Sequence, residues 1–151
     1  MTVKRMEKYD IEKVIEFEIE LRRQEPDTYF WEPDETYAKQ LEASFDDPRF
    51  NTALSFIALK DDIVIGRIDA SVITSHSDAS CFSVYLDWIC VLKSERHNKV
   101  GQALLDALRD ECKKQGAGLL IALTANNEEA QRFYKNVKGA SMHDTGIWID
   151  V

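Results

Sequence analysis

The sequence predicts a single mixed α/β domain spanning residues 1–151, and three observations carry that expectation. The length is that of one domain, with 44% hydrophobic residues and only six Gly and three Pro, the composition of a chain that buries an ordinary core. Apolar residues recur at helical spacing in some segments and alternate or run together in others. Helix-like and strand-like segments interleave, joined by both short turns and long crossovers, which is the order of a sheet with antiparallel and crossover connections.

Taken in order, "TVKRM" is a short strand, and Asp10 is placed to cap a helix carrying Ile11, Val14, Ile15, Ile19 and Leu21. Two prolines in "QEPDTYFWEPD" interrupt the helical pattern, which resumes from Glu35 to about Phe45. "ALSFIALKDDIVIGRIDASVI" reads as a hairpin turning at Asp61-Asp62. "CFSVYLDWICVL" is the next strand. Strict alternation puts Phe82, Val84, Leu86, Trp88, Cys90 and Leu92 on one face and Ser83, Tyr85, Asp87, Ile89 and Val91 on the other; a bulge would shift that pattern. A helix from Val100 to about Lys114, a buried strand "GLLIALTA", a helix from Asn127 to Val137 and a strand "IWIDV" complete the chain. No repeat or low-complexity linker interrupts it.

A net charge of -8 argues against nucleic-acid binding, which draws its affinity from Lys and Arg on phosphates. A cationic partner fits better, although acidity also serves solubility alone. "MTVKRMEKYD" lacks the apolar stretch of a signal peptide, and no window is apolar enough to span a bilayer, so a cytoplasmic location without membrane contact is the expectation. Cys81, Cys90 and Cys112 are odd in number without a C-x-x-C pair, and His76, His97 and His143 are scattered, so neither a disulfide framework nor a metal site is predicted.

The segment carrying most chemistry is "VLKSERHNKVGQALLDALRDECKK". Val100, Leu104, Leu105, Leu108 and Cys112 form an apolar stripe, so the helix begins near Val100 and its unbonded N–H groups point back into "RHNK". Arg96 and Lys99 add positive charge beside the positive helix end, and Gly101 leaves room for close approach: an arrangement suited to phosphate. Strand-to-helix turns also use Gly and surface cations with no ligand. A nucleotide P-loop is excluded, since no G-K-[ST] follows.

After a strand ending in Val91, "LKSE" and "RHNKVG" resemble the [Q/R]-x-x-G-x-[G/A] motif of the GNAT superfamily, the acetyl-CoA-dependent N-acetyltransferases. Arg96 takes the first place and Gly101 the last, while Lys99 stands where the middle glycine is usual. Downstream, "NNEEAQRFYKNVKGA" resembles the family's N-x-x-A-x-x-x-Y segment and following Gly, with Asn127, Ala130 and Tyr134 in the matching places and Gly139 one residue late. The resemblance runs from about Phe56 to the C-terminus; the first fifty residues match only in order of elements. It implies the GNAT fold, a central mixed, mostly antiparallel sheet with splayed parallel strands 4 and 5, flanked by helices. It implies acetyl-CoA as cofactor, with pyrophosphate on Arg96, His97, Asn98, Lys99, Val100, Gly101, Gln102 and Ala103, pantetheine along Ile89, Cys90 and Val91, and a contact from Asn127. The amide near Val91 becomes the oxyanion donor. A homodimer is common in the family.

Acetyl transfer to an amine requires an ammonium with a pKa of about 10 to lose its proton before attack. Asp87, inside an otherwise apolar strand, matches an acidic position in the family's polyamine acetyltransferases and is the base candidate; its other reading is a carboxylate that binds the ammonium or caps a backbone group. Tyr134 matches the family tyrosine that protonates the departing thiolate, where pattern alone reads it as core. Acceptor recognition is expected from Tyr29, Phe30, Trp31 and Tyr85 with the loop acids, rings and carboxylates together suiting a small cationic amine. The loop aromatics could instead pack under the helices. A non-catalytic acyl-CoA-binding regulatory module, with Lys99 marking a degenerate turn, is the alternative function.

Overall fold

The computed structural model describes residues 1–29, 31–76, 81–124, 128–143, 146, 147 and 149. The chain divides into two compact units, Met1–Ile121 and Ala122–Val151. The first holds β1 (Thr2–Arg5), α1 (Ile11–Gln24), α2 (Glu35–Ser44), β2 (Ala53–Lys60), β3 (Ile63–Ile73), β4 (Ser83–Val91) and α3 (Val100–Gln115). β5 (Leu119–Ala122) follows, and the sheet order is β1-β2-β3-β4-β5. β1 to β4 pair antiparallel, and β5 runs parallel to β4.

Local chemistry explains most boundaries. Asp61 and Asp62, both at positive φ (51° and 68°), make the two-residue turn between β2 and β3, the left-handed pair that a type I′ hairpin demands. Asp34 accepts the Tyr37 N–H (2.8 Å) and caps α2. Asp10 caps differently from expectation: its buried carboxylate accepts the Glu7 N–H (2.9 Å) around a 3-10 turn and pairs with Lys4 (2.6 Å), leaving α1 without a side-chain cap. At the end of α3, Gly116 at φ 82° allows the Ala117 N–H to reach the Cys112 carbonyl (2.9 Å), closing the helix as a left-handed C-terminal motif does.

Helices cover both sheet faces. Val14, Phe17 and Leu21 of α1 are buried over β3, and Val100, Leu104, Leu105, Leu108 and Cys112 of α3 are buried over β2, β3 and β4. Neighbouring residues of β3 separate the two layers: a Cβ on Gly66 would meet Val100 Cγ1 at 3.0 Å and Leu104 Cδ1 at 3.1 Å, whereas the Arg67 side chain meets Glu18 of α1. The absent side chain at Gly66 therefore lets the first turn of α3 approach the sheet beside the end of β4.

β4 departs from strict alternation. Asp69 faces Trp88 but Ala70 faces Leu86, so Asp87 is an extra residue, a bulge. The inserted residue reverses the parity beyond it. Trp88 and Cys90 share a face with Tyr85, Arg67 and Asp69, on the α1 side, and Ile89 and Val91 share one with Val84 and Leu86, on the α3 side. The expected grouping of Asp87 with Ile89 and Val91 is thereby corrected.

β5 is shorter and more open than the buried strand predicted, with Leu119 59% and Ile121 40% exposed. Among the described residues it is the sheet's edge; most of "IWIDV", the strand expected to follow, lies outside them. In the second unit, α4 (Glu128–Lys135) stacks Phe133 edge-on against Tyr134 (5.2 Å between centroids), and Gly139 follows at φ 80°.

Candidate active site

The turn into α3 has the geometry of an anion cradle. Its first helical hydrogen bond runs from the Ala103 N–H to the Lys99 carbonyl (3.0 Å), so the N–H groups of Val100, Gly101 and Gln102 have no helix carbonyl to meet. No side chain caps them and no acid occupies the first turn, leaving the positive helix end open to an anion. These groups fit a pyrophosphate through the backbone. The side chains play other parts: Val100 is in the core, Gln102 bonds Asp106 (2.9 Å), and Asn98 reaches Glu95 (3.5 Å). Arg96 makes a two-pronged ion pair with Glu25 at the end of α1, one contact 3.0 Å long and the other, Nη2 to Oε2, shorter.

His97 and Lys99 both have positive φ (66° and 62°). The place of the motif's middle glycine is thus a left-handed one, in which a Cβ costs about 1–2 kcal/mol. Lys99→Gly is expected to stabilise the protein by about 1 kcal/mol, read as a rise in the urea midpoint at unchanged m-value.

The strand above the turn presents backbone where the cofactor is expected. Leu92 donates to the Ile65 carbonyl (3.0 Å), and successive residues of a strand turn their N–H and C=O groups to alternate sides. The groups of Val91 and Ile89 therefore face away from β3, toward β5. Cys90 is buried, its Sγ 2.7 Å from the Tyr29 hydroxyl. Tyr29, expected to meet the acceptor, thus spends its hydroxyl on β4.

Burial pushes the Cys90 thiol from its ordinary 9.0 up to about 11, the hydrogen bond with Tyr29 and the charge of Arg96 only partly opposing it. Between those values the unfolded chain releases a proton that the native state keeps. The corresponding stability is full below pH 9 and is lost as pH rises through about 11. The urea midpoint is expected to fall across that window, and Cys90→Ala to flatten the fall.

On the α1 side of the sheet lies a cleft of about 1000 Å³ with Trp31, Tyr37, Tyr85 and Trp88 among its walls and Glu18, Arg67, Asp69 and Asp87 among its polar groups. Glu18 is buried and accepts from Arg67 Nη1 (2.5 Å), Tyr37 Oη (2.9 Å) and Trp31 Nε1 (2.9 Å). Arg67 Nη2 also bonds Asp69 Oδ1 (3.2 Å), which takes the Ser55 hydroxyl (2.6 Å). Its Nε lies 2.7 Å from Asp69 Oδ2 but off-line for a hydrogen bond, so this contact is Coulombic. Burial lowers the Arg67 pKa, but the charges of Asp69 and Glu18 outweigh it and raise the pKa overall. Tyr37 is pushed up to about 12, by burial first and by the Glu18 charge second. The Arg67 guanidinium sits 5.7 Å from the Trp88 ring, and Trp31 meets Trp88 edge-on at 5.7 Å.

Asp87 is exposed at the bulge, on the wall of this cleft, and makes no hydrogen bond or ion pair with any described residue. Four acids of the α1–α2 segment are otherwise engaged: Glu25 with Arg96, Glu32 with Arg22, Asp34 as a cap, Glu35 with Lys39. The carboxylates at the cleft come instead from α1, β3, β4 and, with Glu7, the turn before α1. Sequence reading missed Glu18, Arg67, Asp69 and Trp88. Glu18 had left a signal, a charge within the buried stripe Val14, Phe17, Leu21. Tyr134 lies half-buried in α4; Phe30 and Asn127 lie outside the described residues. Among the described residues no group of three or more His, Cys, Asp or Glu is placed to hold a metal, and no helix is long and apolar enough to cross a membrane.

Residues 15–139 match the acetyltransferase (GNAT) family. The chain belongs to that family and has its fold and its enzyme class, N-acetyltransferase. It is similar to the aminoglycoside acetyltransferase meta-AAC0020 from an uncultured soil metagenomic sample, solved with sisomicin, at 17% identity and TM-score 0.78 over 99% of this chain and 95% of that one. Aminoglycoside acetyltransferase AAC(6')-Iy, solved with the bisubstrate analog CoA-S-monomethyl-acetylneamine, is 20% identical with TM-score 0.75 over 99% and 97% of the two chains. The ribosomal-protein-alanine N-acetyltransferase of Brucella melitensis biovar Abortus 2308 is 15% identical with TM-score 0.74 over 99% and 98%. No curated protein sequence matches.

Proposed function

We propose that the protein acetylates the primary amine of a small cationic metabolite, polyamine- or aminoglycoside-like, in a ternary complex with acetyl-CoA. The observation that carries this reading is Asp87, a carboxylate that pairs with no other described residue, set by the β4 bulge on the wall of an aromatic cleft and four residues before Val91. Two of the structurally similar enzymes act on aminoglycosides, which supports a cationic acceptor.

Acetyl-CoA, when bound, supplies an acyl thioester. The free N–H groups of Val100, Gly101 and Gln102 would hold its pyrophosphate, the outward backbone groups of Ile89 and Val91 its pantetheine, with Val91 N–H as the oxyanion donor. Asp87 takes the proton of the ammonium, directly or through water, freeing the nitrogen lone pair. As the C–N bond formed and the C–S bond broke, Tyr134, in the motif's tyrosine place, would give its proton to the thiolate, and the second proton of the nitrogen would pass through water to restore the tyrosine, leaving a neutral amide and CoA thiol.

Titration calorimetry with acetyl-CoA, and with CoA lacking its 3′-phosphate, tests the cradle; thiol release with a panel of polyamines, aminoglycosides and peptide N-termini tests the chemistry. Turnover with cationic metabolites supports the proposal. Binding without turnover points to a regulatory acyl-CoA-binding module, and absence of binding at near-millimolar ligand removes the enzymatic reading.

A further inference from the structure

Glu18 is an expensive residue to bury, and stability does not account for it. Buried ion pairs are commonly replaced by apolar side chains at no loss, so a chain that keeps one at 1% exposure gains something else. What Glu18 gains is donors from three separate elements: Trp31 before α2, Tyr37 in α2's first turn and Arg67 on β3. Both rings are among the cleft's walls. An aromatic side chain packed only by apolar contacts chooses its rotamer by shape; a polar handle bound to a fixed acceptor selects one orientation. The indole N–H on Oε2 fixes which edge of Trp31 meets Trp88, next to Asp87 on the same strand. Charge adds to this. Arg67 is one cation between two carboxylates, Glu18 and Asp69, so the network keeps one negative charge in surplus beside the cleft.

We propose that Glu18 is the positioning residue of the acceptor side: it holds Trp31 and Tyr37 as the rigid wall against which the cationic amine is presented to Asp87. This rests on the acetyltransfer reading above. Glu18 touches neither reacting group. Its loss lets the rings turn, so amine binding weakens while the cofactor turn, on the opposite face of the sheet, keeps its affinity.

The test uses Glu18→Gln, Trp31→Phe and Tyr37→Phe in the full chain, the last two leaving the ion pair with Arg67 in place. With spermidine and sisomicin as acceptors, Glu18→Gln should raise the amine KM about tenfold with kcat within about twofold, and acetyl-CoA affinity by calorimetry should not move. The double variant Glu18→Gln/Trp31→Phe should be no worse than the poorer single, because the two act through one contact. The Trp31 indole N–H resonance, assigned by its loss in Trp31→Phe, should shift in Glu18→Gln. An unchanged KM, or additive effects, overturns the proposal. If acetyl-CoA binds but neither amine is consumed, the acetyltransfer reading fails for these acceptors and the indole resonance alone decides: a shift in Glu18→Gln supports the positioning role, and none overturns it.

Discussion

Replacing Asp87 by Asn should lower kcat by about 10²-fold or more while acetyl-CoA affinity stays within about twofold. The change keeps the shape at the bulge and removes the cleft carboxylate that the proposed mechanism uses to accept the ammonium proton. An acceptor amine with a pKa of about 10 is almost wholly protonated at pH 7.5, so the variant must draw on the small neutral fraction in solution. Its rate should therefore climb close to tenfold per pH unit toward the amine's pKa, whereas the native enzyme's profile is flatter. Thiol release from pH 6.5 to 9.5 separates the roles. A raised KM with kcat preserved identifies Asp87 as an ammonium ligand only.

The second large effect is on stability. Arg67→Met should cost about 3–5 kcal/mol, since it leaves Glu18 and Asp69 facing one another without a cation between them. Against a typical total of about 5–15 kcal/mol this approaches unfolding. Urea denaturation reads it directly. Neutralising both acids in the same background, as Arg67→Met/Glu18→Gln/Asp69→Asn, should recover most of the loss, because the penalty is an uncompensated charge rather than missing volume. Failure to recover would assign the cost to the guanidinium's packing against Trp88.

How far the sequence could be read depended on whether the relevant interactions were local. The stripe from Val100 to Cys112 placed α3 because helical spacing needs only the segment itself, and the turn before it carried a motif. Asp61-Asp62 announced the hairpin for the same reason. The bulge at Asp87 was invisible as a position: nothing in "VYLDWIC" says which residue lacks an opposite number, since that depends on the register against β3. The Glu18–Arg67 pair joins residues 49 apart in sequence. The stripe of α1 marks Glu18 as a charge among buried residues but names no partner for it, and only packing the helix on the sheet brings Arg67 to face it. The loop acids were over-read for the complementary reason, because caps and ion pairs such as Asp34 with the Tyr37 N–H claim carboxylates that composition offers to a ligand.

The extra residue in β4 also sets what this strand tolerates. A substitution at Asp87 changes one side chain. Deleting that residue instead would leave Leu86 opposite Ala70 and Trp88 opposite Asp69 as neighbours in a regular ladder. Trp88 and Cys90 would keep the cleft side and Ile89 and Val91 the α3 side, so what would be lost is the bulge together with the carboxylate it carries. Position 87 is thus an addition to a strand whose two faces do not depend on it, a place where chemistry can change without repacking either layer.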